Sequence, residues 1–465
     1  MGSITSLIDI AQQALMADQE ALNVTSNNVA NQNTAGYTRQ VVNFQSVDAV
    51  TLSGSTFGSG VTASATSQRD RVLEQQVQQQ TQTQAQSGAF ESALQQVENI
   101  FGLSSTTSSA SSTVLGTAIN SFFSSLTALA SNPSDTATRQ NVLTAANTLA
   151  GAFNSASNQL AQVSTSLNQQ VVGDVSQVNS LTKTIASLNA QITSSSPNAD
   201  AGALEDQRQL AIAQLSKLVG LNQISTENNG ITLTTSSGAV LVSGSKSFPV
   251  STTLVGGTIH ILAGVDGQDV TSNLTGGDLG GVLQARDQQL PSYQNELDSF
   301  AFGIGSAVNA QNELGVDGNG NPGAALFSLP PTPSGAAALI AVATTDPNAI
   351  AAAAPGEGSA GNANVLAGLS SAGVMGGQTA SEFLASFLGQ IGSDASAATT
   401  NNSAQQATLT QLTTQRDSLS GVSLDQEAAN LTQYQRAYQS AAQVFNIANS
   451  IMASALNLGV QTTVT

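Results

Sequence analysis

Ala21-Leu-Asn-Val-Thr-Ser-Asn-Asn-Val-Ala30, running directly into Asn31-Gln-Asn-Thr-Ala-Gly36-Tyr37-Thr-Arg-Gln40, reads as a helix end followed by a turn. Asn and Gly tolerate positive φ, and Asn33 or Thr34 can satisfy backbone groups left open by the last helical turn. Upstream of that stop, Ile8, Leu15, Leu22 and Val29 recur every seven residues, with Ala11, Asp18 and Thr25 at the intervening offset. This is the spacing of a helix with a narrow apolar seam. At the far end of the chain Leu424, Leu431, Tyr438, Phe445 and Met452 are also seven apart, and Glu427, Tyr434, Ala441, Ala448 and Ala455 form a companion row. The two ends are expected to pair as a coiled coil. Asp18, Thr25 and Glu427 interrupt its seams and are expected to weaken the pair in isolation.

Inward from the turn, Val41, Val42 and Phe44 read as a short extended stretch, and Ser53 to Gly60 as a loop or bent hairpin. Helical patterns follow over Gln68 to Phe101, Val114 to Ala130, Asp135 towards Ser194, and Leu204 to Val219 before the Gly220 stop. From Asn222 to about Gly281 the period changes: Ile231 and Leu233, Val240 and Val242, and Ile259 and Ile261 alternate between Asn-Gly, Ser-Gly and Gly-Gly turns. That predicts a small β-domain. Helix returns over Leu283 to Leu314 and Ala380 to Leu419, separated by a Gly/Pro/Ala-rich stretch with little periodicity. The expected fold is therefore mainly α with an inserted β-domain, elongated, with a longitudinal helical bundle and small outer β-rich parts. Its expected division is a terminal coiled-coil domain (1–40 with 421–465), a helical rod domain (41–221 with 282–314 and 376–420), the β-domain (222–281) and a loop-rich segment or minor subdomain (315–375).

Composition narrows the function. The chain carries 11 Lys and Arg against 29 Asp and Glu, a net charge of -18 that repels nucleic-acid phosphates and anionic lipid. Only 9% of residues are charged, so the surface is built from neutral polar groups that can pack against copies of themselves at low desolvation cost. There is no Cys, which removes disulfides, thiolate metal sites and cysteine nucleophiles. Met1 to Ala11 lacks the basic residues of a cleaved secretory signal, and the densest apolar run, Ala336 to Ala343, is too short for a bilayer span.

Catalytic patterns are sparse. His260 is the only histidine and sits between Ile259 and Ile261 in an expected strand, where a structural role is favoured. Asp317-Gly-Asn319-Gly-Asn321 begins like a calcium loop, but Pro322 and Ser328 replace the turn glycine and the bidentate glutamate, leaving a polar turn. Arg69, Asp70, Arg71 and Glu74, the densest charge cluster, read as a solvated helix face in preference to a subunit contact. Tyr434 and Tyr438 read as packing residues. No enzyme activity, cofactor or metal is expected.

The 21–40 segment closely resembles the N-terminal signature of the flagellar rod, hook and hook-associated axial proteins, carried by Asn27, Asn28, Asn31, Asn33, Thr34, Gly36 and Tyr37. Gly421-Val-Ser-Leu-Asp-Gln-Glu427-Ala-Ala-Asn-Leu-Thr-Gln-Tyr-Gln-Arg-Ala-Tyr438 resembles the paired C-terminal signature. Phe122 to Pro133, Ile185 to Ile192 and Leu204 to Leu210 look like the helical domain of the hook–filament junction branch of that family. The resemblance implies a structural subunit at the hook–filament junction, in the extracellular flagellum. It also implies export through the flagellar type III channel without signal cleavage, and a cytoplasmic chaperone at the C-terminal region. The implied partners are copies of the chain, the hook subunit on one side and the next junction protein on the filament side. Ile8, Leu15, Leu22, Val29, Leu424, Leu431, Tyr434, Tyr438, Phe445 and Met452 are the expected assembly residues. Another axial protein (hook subunit or flagellin-like) and an adhesin on an axial scaffold are the alternatives.

Overall fold

The computed structural model describes residues 2–34, 36–47, 50–52, 55–57, 60–103, 110–195, 200–226, 229–264, 266–356 and 358–461. Helix α1 spans Gly2–Asn31 and is followed by β1 (Gln40–Ser46), β2 (Val50–Leu52), β3 (Ser55–Phe57) and β4 (Val61–Ser67). β1 and β4 pair antiparallel from Gln40 opposite Ser67 to Ser46 opposite Val61, a hairpin that lies along α1. The sequence reading found the first of these strands and missed β4. Ala63, Ser64 and Ala65 give it little of the β-branched signal by which a strand is recognised.

Four helices follow: α2 (Arg71–Ile100), α3 (Val114–Ser131), α4 (Thr136–Ser195) and α5 (Ala203–Leu218). Asp70 caps α2 by accepting from the Val72 and Leu73 amides, and Thr113 caps α3 through the Gly116 amide. At 60 residues α4 is about 90 Å long, the spine of an elongated molecule. α3 is long and apolar enough to cross a membrane by composition alone, which the search for apolar runs overlooked. Its Ile119, Phe122, Leu126 and Leu129 are instead buried in the main core with Leu143, Leu149 and Phe153 of α4.

The inserted β region comprises β5 (Leu221–Ser225), β6 (Ile231–Thr235), β7 (Val240–Ser243), β8 (Lys246–Ser247), β9 (Ser251–Val255), β10 (Thr258–Ala263) and β11 (Gln268–Asp269). They form one sheet of order β5-β6-β7-β8 and another of order β11-β10-β9. Three asparagines of α4 stitch both sheets to the spine. Asn189 donates to the Ile231 and Gly244 carbonyls. Asn179 brackets Val250, accepting from its amide and donating to its carbonyl, and Asn168 bonds the Gly257 carbonyl and the Ile259 amide. Residues 168, 179 and 189 are spaced by about three helical turns, so they share one face of α4.

The chain returns through α6 (Gly277–Gln284), a π-helical turn at Ala285–Gln289 and α7 (Leu290–Glu313), one continuous helical run. It starts earlier than the expected Leu283. At Gly277 φ is +67° and a Cβ would collide with the backbone of Leu218 and Val219, so only glycine permits this close start. Short elements follow: β12 (Phe327–Ser328), α8 (Ala336–Leu339), β13 (Ala341–Val342) and α9 (Gly361–Gly368). Asp298 of α7 secures α8 by accepting from the Gly335 and Ala337 amides. Two long helices finish the chain, α10 (Ala380–Ser420), opened by a Thr379–Glu382 capping box, and α11 (Leu424–Gln461).

Asp174, on α4, is 7% exposed and its Oδ2 has no hydrogen-bond partner. Burial, reinforced by the Asp278 carboxylate on α6, pushes its pKa up to about 6. The folded pKa exceeds the unfolded value, so the stabilising proton is held below pH 4 and lost as the pH rises through about 6. Asp174→Asn is therefore expected to stabilise the chain at pH 7 by roughly 1–3 kcal/mol, and to flatten the dependence on pH between 4 and 7. Chemical denaturation of both forms at pH 5 and pH 7 checks this; equal midpoints at pH 7 would refute it.

Candidate functional site

The turn after α1 is exposed at Gln32, Asn33, Thr34 and Gly36, but the residues flanking it are built into a polar joint where the paired ends of the chain meet the helical rod. Asn28, on the last turns of α1, is 1% exposed and uses its whole amide: Nδ2 donates to the Gln40 carbonyl at 2.8 Å and to Glu427 Oε2 at 3.2 Å. Its Oδ1 accepts from the Tyr37 hydroxyl and the Gln40 amide, each at 2.9 Å. Glu427, on the first turn of α11, is wholly buried, and its Oε1 accepts from Arg39 Nε at 2.7 Å. Arg39 also donates from Nη1 to Gln68 Oε1, while its backbone amide donates to the Ser420 carbonyl. One asparagine, one arginine and one glutamate thus tie α1, the returning strand and α11 at a single point. Tyr37 is held against this acidic surrounding: burial, then the Asp206 and Glu427 carboxylates, push its hydroxyl pKa up to about 12.

A second cluster extends the joint into the rod. Asp206 on α5 accepts from the Thr38 amide at 3.1 Å and pairs with Arg69 Nη2. Arg69 lies 3.5 Å from Glu205 and 3.6 Å from Glu74, with its side chain 7% exposed. Asp200 accepts from the Ser67 amide and from the Gly202 amide. The expectation of a solvated face at Arg69 to Glu74 is thereby corrected: Arg69 is the buried hub of three carboxylates and Asp70 is a helix cap. The reason is tertiary, since two of the partners lie on α5, more than 130 residues away in the chain.

The centre of the seam falls on the companion rows, at Ala11, Thr25, Glu427 and Ala448, and on α1 also on positions outside both expected rows. On α1 the buried positions are Ala11, Ala17, Ala21, Val24, Thr25 and Asn28; Ile8, Leu15 and Leu22 flank them half-buried, and Val29 is exposed. On α11 the buried positions are Glu427 and Ala448, with Leu431, Tyr434, Ala441, Phe445 and Met452 half-buried, while Leu424 and Tyr438 are exposed. Small residues occupy the centre because they let the helix backbones approach closely. Neither Thr25 nor Glu427 is the flaw expected of it. The Thr25 hydroxyl is satisfied by the Ala21 carbonyl at 2.9 Å, and Glu427 is the anchor of the joint. Asp18 fits the expected cost, since partial burial raises its pKa.

The residual candidates for chemistry are accounted for locally. His260 Nδ1 lies 2.6 Å from Asp269 Oδ2 in the β10–β11 pair. The Thr271 hydroxyl and amide, with His260, hold the Asp269 carboxyl down to about 2. Asp317 Oδ1 accepts from the Asn319 and Asn321 amides, closing its own turn. Among the described residues no three His, Cys, Asp or Glu side chains converge as a metal-ligand set.

Residues 94–327 match the family model described as the flagellar hook-associated protein FlgK helical domain. The chain belongs to the FlgK family of flagellar hook-associated proteins. This is a family of structural, axial components of the flagellum. Two further models cover the ends that form the joint: the flagella basal body rod protein at residues 8–38 and the flagellar basal body rod FlgEFG protein C-terminal model at residues 414–458. Flagellar hook-associated protein 1 of Escherichia coli K12 is 27% identical over 98% of this chain and its own full length. That of Bacillus subtilis 168 is 29% identical over 97% of both, and that of Salmonella typhimurium LT2 is 31% identical over 70% of this chain and 60% of its own. The flagellar hook junction protein FlgK from Burkholderia pseudomallei superposes with a TM-score of 0.67 at 22% identity, covering 74% of this chain and all of that one, a likeness of fold.

Of the residues expected to carry the N-terminal axial signature, Asn28 and Tyr37 work in the joint. Asn31 and Thr34 cap the end of α1, Asn31 Nδ2 donating to the Asn27 carbonyl and Thr34 to Asn31 Oδ1. Asn33 is exposed, and Gly36 has φ of +81°, the conformation that the turn requires. Arg39, Gln68, Asp206 and the role of Glu427 were not legible in the sequence. The one available signal was the scarcity of basic residues, which makes each arginine of such a chain a candidate for pairing.

Proposed function

We propose that this chain is a non-catalytic subunit that joins the flagellar hook to the filament, its terminal helices being the assembly elements. The observation that carries the reading is a pair of helices held rigidly at one end and apolar on their outer faces. Leu7, Ile10 and Met16 of α1 and Val444, Ile447, Ile451 and Leu456 of α11 are exposed in the single chain. Their intramolecular seam is largely alanine, which buries little apolar area, so covering these faces with neighbouring copies supplies what the pair lacks. Folding of the ends is then coupled to polymerisation, and premature assembly is limited.

On this reading copies of the chain lie side by side, with the hook subunit below and the next junction protein above. Export proceeds through the flagellar type III channel without signal cleavage, and a cytoplasmic chaperone covers the C-terminal helix beforehand. We divide the chain for this purpose into the terminal pair (1–40 with 421–465), the rod (41–221 with 282–314 and 376–420), the β-domain (222–281) and the segment 315–375.

Electron microscopy of cells lacking the chain is expected to show hooks without filaments. Hooks carrying normal filaments would overturn the junction reading. In the same strain, chains lacking residues 1–30 or 424–465 are expected to keep a folded rod, with its melting transition, and to restore no filaments. Restored filaments would mean that the termini are not the assembly elements.

A further inference from the structure

Beside the Arg69 hub, α2, α5, β5 and the start of β6 line a partly open cavity of about 130 Å³, room for more than one water. Three of the chain's 11 basic residues line it: Arg69, Arg71 and Arg208. Three carboxylates stand near them, Glu74, Glu205 and Asp206, each pairing with Arg69. Arg208 is 5% exposed and makes no ion pair among the described residues; its Nη1 is spent on Asn189 Oδ1 and the Asn229 carbonyl, and its Nε has no acceptor. Gln78, 7% exposed, contributes Nε2, a second buried donor without an acceptor. Arg71 stands at the exposed start of α2 and makes no ion pair among the described residues.

Among the same lining residues, Glu205 Oε1 and Gln223 Oε1 are buried acceptors without donors. Unmet groups of both kinds in one cavity each carry a desolvation cost, and a fixed guest of matching pattern would remove it. The donors fit an oxyanion. The acceptors require that the guest also carry a hydrogen. We propose that this cavity binds a protonated tetrahedral oxyanion, inorganic hydrogen phosphate or dihydrogen phosphate, with its charged oxygens on Arg208 Nε, Gln78 Nε2 and Arg71. Its P–OH donates to Glu205 Oε1 or Gln223 Oε1. Burial, opposed by the Glu205 carboxylate and aided by the Arg69 and Arg71 guanidiniums, draws the Arg208 pKa down to about 10, and an anionic guest would add counter-charge there. Because the cavity is lined by α2 and α5 on one hand and by β5 and the start of β6 on the other, the bound ion would fasten the inserted β region to those helices.

The test uses the purified full-length chain, melted at constant ionic strength in chloride, sulfate and phosphate. A ligand bound only by the folded state raises the midpoint along a saturating curve, whereas excluded-ion stabilisation grows without saturation. Phosphate is expected to give the saturating curve at pH 7, with phosphorus NMR linewidths broadened by the protein. Sulfate, which has no proton to donate, is expected to give a smaller rise. Gln78→Leu and Arg71→Gln are expected to lose the saturating component while keeping the chloride midpoint near that of the parent. If phosphate and sulfate give the same unsaturating rise in the parent and both variants, and the linewidths are unchanged, the cavity holds only water.

Discussion

Glu427→Ala is expected to release the terminal helices from the rod in the free chain. The substitution removes the carboxylate that, among the described residues, alone pairs with Arg39, whose side chain is 10% exposed, and leaves Asn28 Nδ2 with one acceptor fewer. Removing one partner of a buried pair costs roughly 3–5 kcal/mol, because the remaining charge stays desolvated. An alanine-centred pair of helices has little apolar burial to offset that loss. Hydrogen exchange should show α1 and α11 losing protection together while α3 and α4 keep theirs. The double substitution Arg39→Met with Glu427→Leu should recover most of the loss, since it removes the buried charge along with its partner. Deleting α11 outright would be milder for the rod than the point change, because Arg39 would then be hydrated. Unchanged exchange in Glu427→Ala would show that the joint does not hold the terminal pair.

Ile447→Asp combined with Ile451→Asp is expected to abolish filament growth while leaving the free chain intact. These side chains are 60% and 51% exposed and one helical turn apart, on a face of α11 that flanks buried Ala448. Exposed positions tolerate such changes within about 0.5 kcal/mol, so the monomer's melting curve should not move. In a polymer that covers this face, each aspartate would be buried without a partner, at a cost of several kcal/mol. The expected phenotype is cells with hooks that shed filament subunits into the medium. Phe445→Asp is a less discriminating choice, because Phe445 is half-buried within the chain and its loss would weaken the free protein too. Normal motility of the Ile447 and Ile451 variant would place this face in solvent and remove the main support for the proposed assembly.

The fold class was readable from period alone: long polar helices, a run of alternating residues between Asn222 and Gly281, and seams at both ends. These signals are local, since period and turn chemistry act within a few residues. On α1 the full seam was not readable, because Ala17 and Ala21 carry almost no hydrophobic contrast while Leu22 and Val29 carry much. Small residues lie at the contact for the close approach they allow. A sequence weighted by hydrophobicity points to their larger neighbours.

The joint illustrates the other limit. Asn28, Tyr37 and Glu427 stood out as parts of the two terminal signatures, but the sequence does not say that Asn28 and Glu427 touch across 399 positions, or that Arg39 completes them. A glutamate on an apolar row reads as a defect until its arginine is found, and pairing at that separation depends on the path of the whole intervening chain. The sequence by itself determined the helices, the inserted strands and the turn at Asn31 to Tyr37, through periodicity and local backbone preference. The tertiary structure decided which charges are buried and which apolar faces are left uncovered, because burial and ion pairing depend on what the rest of the chain brings alongside.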